Sequence, residues 1–94
     1  MYKLKDLPKF RKQFRRFSSK DQEKIRKEIH KIAKNPLIGE TKKGPFSKIR
    51  VYKWKLKHQL YLIAYEPENK EKTIYLYAIA THEGFYKALQ RYVI

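Results

Sequence analysis

The sequence contains no cysteine, and it has nine acidic residues against 24 lysines and arginines. The absence of cysteine excludes disulfide bonds and thiolate metal sites. No apolar run approaches the roughly 20 residues that span a bilayer, and the N-terminal residues lack the apolar segment of a signal peptide. We therefore expect a cytoplasmic protein without a membrane partner, and its 94 residues predict a single domain over 1–94.

The shortage of acidic residues is uneven along the chain. Residues 1–34 carry thirteen basic and four acidic side chains, and residues 41–57 carry seven basic side chains and no acidic one. From residue 58 onward there are four of each. A net charge of +15 favours polyanionic partners, because binding releases counterions from phosphates. The alternative is an ordinary solvated lysine surface, but the uneven distribution favours a binding surface built from the first two thirds.

Periodic apolar residues predict two helices, over 8–17 and about 20–34. Pro8 suits the first turn of the first helix. Ser19 followed by Gln22 fits a capping box at the start of the second, and Asn35-Pro36 ends it. The apolar stripes consist of Phe10, Phe14 and Phe17 in the first helix and Ile25, Ile29 and Ile32 in the second.

The remaining pattern predicts strands. A short strand over 2–5 precedes the helices, and a loop over 35–46 with two prolines and two glycines follows them. Three strands come next. The first covers about 48–57, and the second is LYLIAYE, which is broken by Pro67 and Asn69. The third covers 73–81 and is expected to be a central strand, because it is almost wholly apolar. A short helix from Gly84 is optional. The resulting fold class is α+β, of order β-α-α-β-β-β(-α), with a mainly antiparallel sheet packed on a helix pair.

The stretch YKWKLK at 52–57 alternates lysine with apolar residues. Successive side chains of a strand point to opposite faces. We therefore expect Tyr52, Trp54 and Leu56 under the helices. The opposite face is then left open to solvent, with a row that consists of Lys53, Lys55 and Lys57.

The element order, the NP-x-x-G loop at 35–39 with Gly44 after it, and YKWKLK-HQLYLIAY at 52–65 resemble the RelE/ParE superfamily of type II bacterial toxins. The resemblance covers essentially the whole chain and implies a RelE-like fold. RelE-type members cut mRNA in the ribosomal A site, and their phosphate-facing lysines correspond to Lys53 and Lys55. The T-H-x-x-x-[FY] pattern at 81–86 is similar to that of the YafQ-like branch, which implies catalytic roles for His82 and Tyr86.

The sequence departs from RelE at two positions of the implied site. RelE has arginines where this chain has Leu62 and His82. Cleavage of RNA without a metal needs a base, an acid and positive charge on the transition state. The lysines could supply the charge, His82 is the candidate base with Glu83 as an alternative, and Tyr86 or a lysine could be the acid. No cofactor is expected, and the three histidines are too scattered for a metal site.

The resemblance also implies partners, namely the ribosome with its mRNA and a cognate acidic antitoxin. His30 is expected to be a surface residue. A ParE-like inhibitor of DNA gyrase without catalysis is the alternative function, and a non-catalytic RNA-binding module is a third. The candidate RNA-binding residues are Lys43, Arg50, Lys57, His58 and Tyr61.

Overall fold

The structure is a computed structural model that describes residues 1–41, 44, 48–85 and 87. Its helices and strands follow the predicted order with one addition, a two-residue strand inside the predicted loop. Such a short strand leaves no periodic pattern in the sequence. The elements are β1 (Lys3–Asp6), α1 (Pro8–Arg15), α2 (Ser19–Lys34), the added β2 (Glu40–Thr41), β3 (Arg50–Leu56), β4 (Gln59–Glu68) and β5 (Thr73–Thr81).

The five strands form one sheet in the order β1-β5-β4-β3-β2. β1 runs parallel to β5, and every other neighbouring pair is antiparallel. This confirms the predicted α+β class with a mainly antiparallel sheet. β5 has a neighbour on each side, so its nearly continuous apolar sequence belongs to an interior strand, as predicted.

The connection between the helices differs from the prediction. Ser18, not Ser19, is the N-cap of α2, and its hydroxyl accepts a hydrogen bond from the Asp21 backbone nitrogen at 3.2 Å. The predicted capping box of Ser19 and Gln22 is therefore wrong. The Gln22 side chain instead donates to the carbonyl oxygens of Phe14 and Phe17, at 3.2 and 3.0 Å, and so ties α2 to the end of α1.

One core fills the space between the helices and the sheet. The helices contribute their predicted stripes, although Phe14 and Phe17 are only partly buried. Neither α1 nor α2 is long and apolar enough to cross a membrane. The buried side chains of this core are Phe10, Ile25, Ile29, Ile32, Leu56, Ile63, Tyr65, Ile74, Leu76 and Ile79.

β4 does not end at Pro67, as the sequence predicted, but continues to Glu68. Within the described ranges, β3 pairs with β4 only as far as Tyr65, and no other described strand pairs with that edge of β4 beyond it. A proline on a free edge removes no ladder hydrogen bond.

A β-bulge interrupts the pairing of β4 with β5. The register shifts between Ala64 and Tyr65, which leaves Tyr77 as the extra residue on β5. The Gln13 side chain of α1 accepts a hydrogen bond from the Ile79 backbone nitrogen at 2.9 Å, so a helix side chain anchors the bulged strand. After β5, residues 82–85 are helical; the rest of the predicted C-terminal helix lies largely outside the described residues.

Candidate functional site

The two faces of β3 differ as the alternation predicted. Leu56 belongs to the core, and Tyr52 and Trp54 pack against it from the helix side. Lys53 and Lys55 point the other way and are exposed. Their positions on one strand place the two Cα atoms roughly 7 Å apart. Two lysines therefore stand side by side on the face away from the helices, which we call the lysine face.

The third lysine of the predicted row is not on this face. β3 ends at Leu56, and Lys57 and His58 form the tight turn that follows, both with positive φ (52° and 68°). The turn directs Lys57 toward the helices, where its Nζ lies 3.1 Å from Asp21 Oδ2 on α2. The prediction of a three-lysine row is therefore wrong for Lys57. His58 is exposed in the turn, and its role in RNA binding stays a prediction.

The pairing of the strands brings His82 to the same end of the sheet as the two lysines. Lys55 pairs with Leu60 of β4, and the neighbouring Tyr61 pairs with Thr81, the last residue of β5. His82 follows directly and is exposed. With β4 between them, the Cα atoms of Lys55 and His82 are about 10 Å apart. The sheet thus brings the backbone positions of Lys53, Lys55 and His82 to the same end.

Part of the lysine face is buried, although the sequence predicted that the whole face is exposed to solvent. Val51, Leu62 and Ala64 lie on it and are nonetheless buried, with 1, 0 and 4% of their surfaces exposed. Leu62 stands directly opposite Lys53. Lys53 therefore has a buried apolar neighbour, Leu62, at the position where RelE-type sequences have an arginine. A low local dielectric strengthens the field of a nearby charge.

Two of the candidate residues, Arg50 and Lys53, contact other groups of the protein. Nη1 of Arg50 donates to the carbonyl oxygens of Gly39 at 2.7 Å and Leu37 at 3.2 Å, so this guanidinium holds the loop after α2. Lys53 Nζ lies 4.0 Å from Glu40 Oε2 on β2, an exposed contact of little energetic weight.

Tyr61 was predicted to bind RNA, but it faces the helices. Its ring lies 5.7 Å from that of Phe17 and 5.9 Å from that of Trp54. A base over the lysine face cannot stack on this ring, and the role of Tyr61 in RNA binding stays a prediction. His30 is on the surface of α2, as predicted. Lys43 and Tyr86 lie outside the described residues.

The NP-x-x-G loop and the last tyrosine of LYLIAY are in direct contact. The buried Tyr65 hydroxyl donates to the Pro36 carbonyl oxygen at 2.7 Å and accepts from the Gly39 backbone nitrogen at 2.9 Å. Burial raises the pKa of Tyr65, so it remains a neutral donor. These two sequence features hold the loop before β3 in place and so support the strand that carries the lysines.

Sequence reasoning missed a second polar group on the lysine face, made by Lys5, Glu66, Tyr75 and Tyr77. The Tyr77 hydroxyl donates to Glu66 Oε1 at 2.9 Å, and Lys5 Nζ lies 5.9 Å from the centre of the Tyr75 ring. The shared face of the two tyrosines could be read from the alternation. The parallel pairing of β1 with β5, which adds Lys5, has no local sequence signal.

Metal ligands are not grouped in the part of the chain that the structure describes. No set of three or more histidine, cysteine, aspartate or glutamate side chains is placed there to hold an ion.

Comparison with known proteins agrees with the fold. Residues 4–90 match the model of a family described as the ParE-like toxin of type II bacterial toxin-antitoxin systems. No curated protein matches the sequence. The fold is similar to that of the isolated E. coli RelE toxin, with TM-score 0.68 and 20% identity over 97% of this chain and 98% of that one. It is also similar to a chain of the toxin-antitoxin complex RelBE2 from Mycobacterium tuberculosis, with TM-score 0.75 and 10% identity over 86% and 98%.

Proposed function

This chain belongs to the family of ParE-like toxins of type II bacterial toxin-antitoxin systems, and we propose that it cleaves mRNA in the ribosomal A site. The observation that carries the proposal is the juxtaposition of Lys53, Lys55 and His82 at one end of the sheet. Cleavage there would stop translation, and it would take place in the cytoplasm. RelE structures share the fold at 20% identity or less, so the chemistry rests on this chain's own residues.

The three residues supply most of what the reaction needs. The imidazole of His82 takes the proton of the 2′-hydroxyl, whose oxygen then attacks the adjacent phosphorus. The bond from phosphorus to the 5′-oxygen breaks, and that oxygen leaves with a proton from a general acid. Lys53 and Lys55 stabilise the negative charge that develops on the phosphate oxygens. Tyr86 and a lysine remain the candidate acids. The products are a 2′,3′-cyclic phosphate and a 5′-hydroxyl.

The exposed face of α1 would contact ribosomal RNA. It carries basic side chains and no acidic one, and an uninterrupted basic surface favours binding to a phosphate backbone. This contact would position the lysine face over the mRNA without reading its sequence. The exposed basic residues of this helix and its end are Lys9, Arg11, Lys12, Arg15 and Arg16.

We also propose an acidic antitoxin as the partner that silences the toxin. Solved relatives include the intact E. coli RelBE toxin-antitoxin complex, whose toxin chain shares 20% identity and TM-score 0.68 with this one over 85% of this chain and 95% of that one. The net charge of +15 favours an oppositely charged partner.

A gyrase inhibitor without catalysis is the second candidate, because the matching family is that of ParE-like toxins. One fold serves both activities, so the fold does not choose between them. Two lysines beside a histidine favour the nuclease, since an inhibitor has no need of a proton carrier.

The deciding experiment mixes the purified protein with translating ribosomes and a defined mRNA and maps cuts by primer extension. We expect cuts within the A-site codon. His82→Ala should slow cutting by about 10²- to 10⁴-fold while ribosome binding is retained. Lys57→Ala is the matched control, because its ammonium group pairs with Asp21 away from the site. Absence of A-site cuts, together with inhibition of DNA gyrase by the same preparation, would contradict the proposal.

A further inference from the structure

The second polar group on the lysine face lies in register across three neighbouring strands. Lys5 of β1 pairs with Tyr75 of β5, and Tyr75 pairs with Glu66 of β4. Residues paired in this way project from the same face of a sheet. Tyr77, two residues beyond Tyr75, completes the group through its hydrogen bond to Glu66. None of the four belongs to the hydrophobic core, so the packing of the helices does not require them.

The contacts within the group orient a carboxylate beside an aromatic ring. In the described part of the chain, the Glu66 carboxylate accepts its one hydrogen bond from Tyr77, at 2.9 Å. Burial and the bond to Glu66 raise the pKa of Tyr77, so its hydroxyl remains a donor. A carboxylate has about four acceptor positions, and most of them remain available here. Lys5 Nζ lies over the Tyr75 ring, at 5.9 Å from its centre, and adds a positive charge.

An aromatic ring, an oriented acceptor and a lysine together match an unpaired nucleotide. Proteins that bind single-stranded RNA stack its bases on aromatic rings and hydrogen-bond to the Watson-Crick edges. An ionised carboxylate can only accept hydrogen bonds, and guanine is the base whose edge presents two adjacent N–H donors, at N1 and N2. We propose that Lys5, Glu66 and Tyr75 form a subsite for an unpaired guanine nucleotide of the RNA substrate. Tyr75 stacks on the base, Glu66 accepts from its edge, and Lys5 faces its phosphate.

The subsite is separate from the cleavage site. Glu66 lies four residues along β4 from Leu62, the partner of Lys53, which corresponds to roughly 13 Å along the strand. The guanine is therefore a nucleotide that flanks the cut. Lys3 alternates with Lys5 on the same face of β1 and extends the positive charge away from Lys53. The inference rests on the proposed function in one respect, that the substrate is a single RNA strand.

The test is the sequence preference of cutting on ribosomes programmed with mRNAs randomised around one A-site codon. The wild-type protein should favour guanine at one flanking position. Glu66→Gln keeps the shape of the side chain but adds a donor, and it should reduce that preference by about tenfold or more. Tyr75→Ala should slow cutting of every sequence by about five- to a hundredfold, and Tyr75→Phe should restore it, because stacking needs only the ring. An unchanged rate and sequence profile in both Glu66→Gln and Tyr75→Ala would overturn the subsite.

A second measurement separates the subsite from the cleavage activity. The ¹⁵N-labelled wild-type protein and Glu66→Gln are titrated with guanosine 5′-monophosphate, and adenosine 5′-monophosphate is the control. The subsite predicts that guanosine 5′-monophosphate shifts the amide resonances of Lys5, Glu66 and Tyr75 in the wild-type protein. Adenosine 5′-monophosphate should not shift them, and neither nucleotide should shift them in Glu66→Gln. This result would support the subsite even if the protein cut no mRNA. Cutting by the wild-type protein without these shifts and without a guanine preference would overturn the subsite and leave the proposed nuclease intact.

Discussion

The Tyr65 side chain packs directly against the backbone of Gly39. Its hydroxyl accepts a hydrogen bond from the Gly39 N–H at 2.9 Å, and a Cβ atom at Gly39 would stand 2.8 Å from that oxygen and 2.9 Å from Cε1 of the ring. Glycine is therefore required by close approach and not by its φ angle. The contact joins the end of the loop after α2 to the middle of the sheet.

Gly39→Ala should lower the free energy of unfolding by about 1–3 kcal/mol, because the new methyl group overlaps a buried ring and the backbone of Val51. Tyr65→Phe should cost a similar amount, since it leaves the Gly39 N–H and the Pro36 carbonyl without their partner. Urea denaturation measures both. The double variant should lose less than the sum, because both changes act on one contact. A Gly39→Ala protein within about 0.5 kcal/mol of wild type would show that this loop relaxes freely.

The lysines of YKWKLK should separate into two kinds. Lys53→Ala and Lys55→Ala should each slow cutting by about 10²- to 10³-fold, as expected when a preorganised charge is removed from a transition state. Lys57→Ala should leave the rate unchanged but lower the free energy of unfolding by about 1–3 kcal/mol, because it leaves the buried Asp21 carboxylate without its partner. Rate measurements on programmed ribosomes distinguish them. Equal losses in all three variants would restore the three-lysine row.

The stability of the fold should fall in alkaline solution. Burial, followed by the hydrogen bond to Glu28, raises the pKa of Tyr52 to about 12 from its ordinary value near 10. Between about pH 10 and 12 the unfolded chain loses this proton while the folded chain retains it, so the unfolded state is favoured increasingly. Tyr65 and Tyr77, whose pKa values are also raised, act in the same direction.

Tyr52→Phe isolates the contribution of this one group. Its free energy of unfolding should fall less steeply than that of the wild type between about pH 10 and 12, although it is less stable at neutral pH because Glu28 loses a donor. Urea titrations at a series of pH values provide the measurement. Parallel curves for the two proteins would mean that Tyr52 titrates alike in the folded and unfolded states.

Gln13→Ala should destabilise the junction of α1 with the bulged strand by about 1–3 kcal/mol, because the backbone N–H of the buried Ile79 loses its acceptor. Gln13→Glu keeps an oxygen in place and should restore most of the loss. Lys12→Ala, at the neighbouring exposed position, is the control and should be nearly neutral. Thermal unfolding of the three variants checks the order.

The sequence by itself determined what depends on local periodicity. The stripes of phenylalanine and isoleucine predicted both helices to within two residues at each end, and the alternation of YKWKLK placed Lys53 and Lys55 opposite Trp54. Both follow because one face of each element must be buried, and the spacing of apolar residues shows which face. The resemblance of the motifs to RelE/ParE toxins directed attention to His82 at the end of β5 before any strand pairing was known.

Only the tertiary structure decided what depends on contacts between distant residues. Lys57 leaves the lysine row because the turn after β3 adopts positive φ and Asp21 lies within reach, and neither condition shows in an alternating pattern. Tyr61 faces the helices because β4 pairs with β3 in one register out of several that its apolar sequence allows. Lys5 meets Tyr75 only through a parallel pairing across 70 residues of chain. The sequence of one strand shows which of its side chains share a face. Which strands become its neighbours is determined by the packing of the whole sheet.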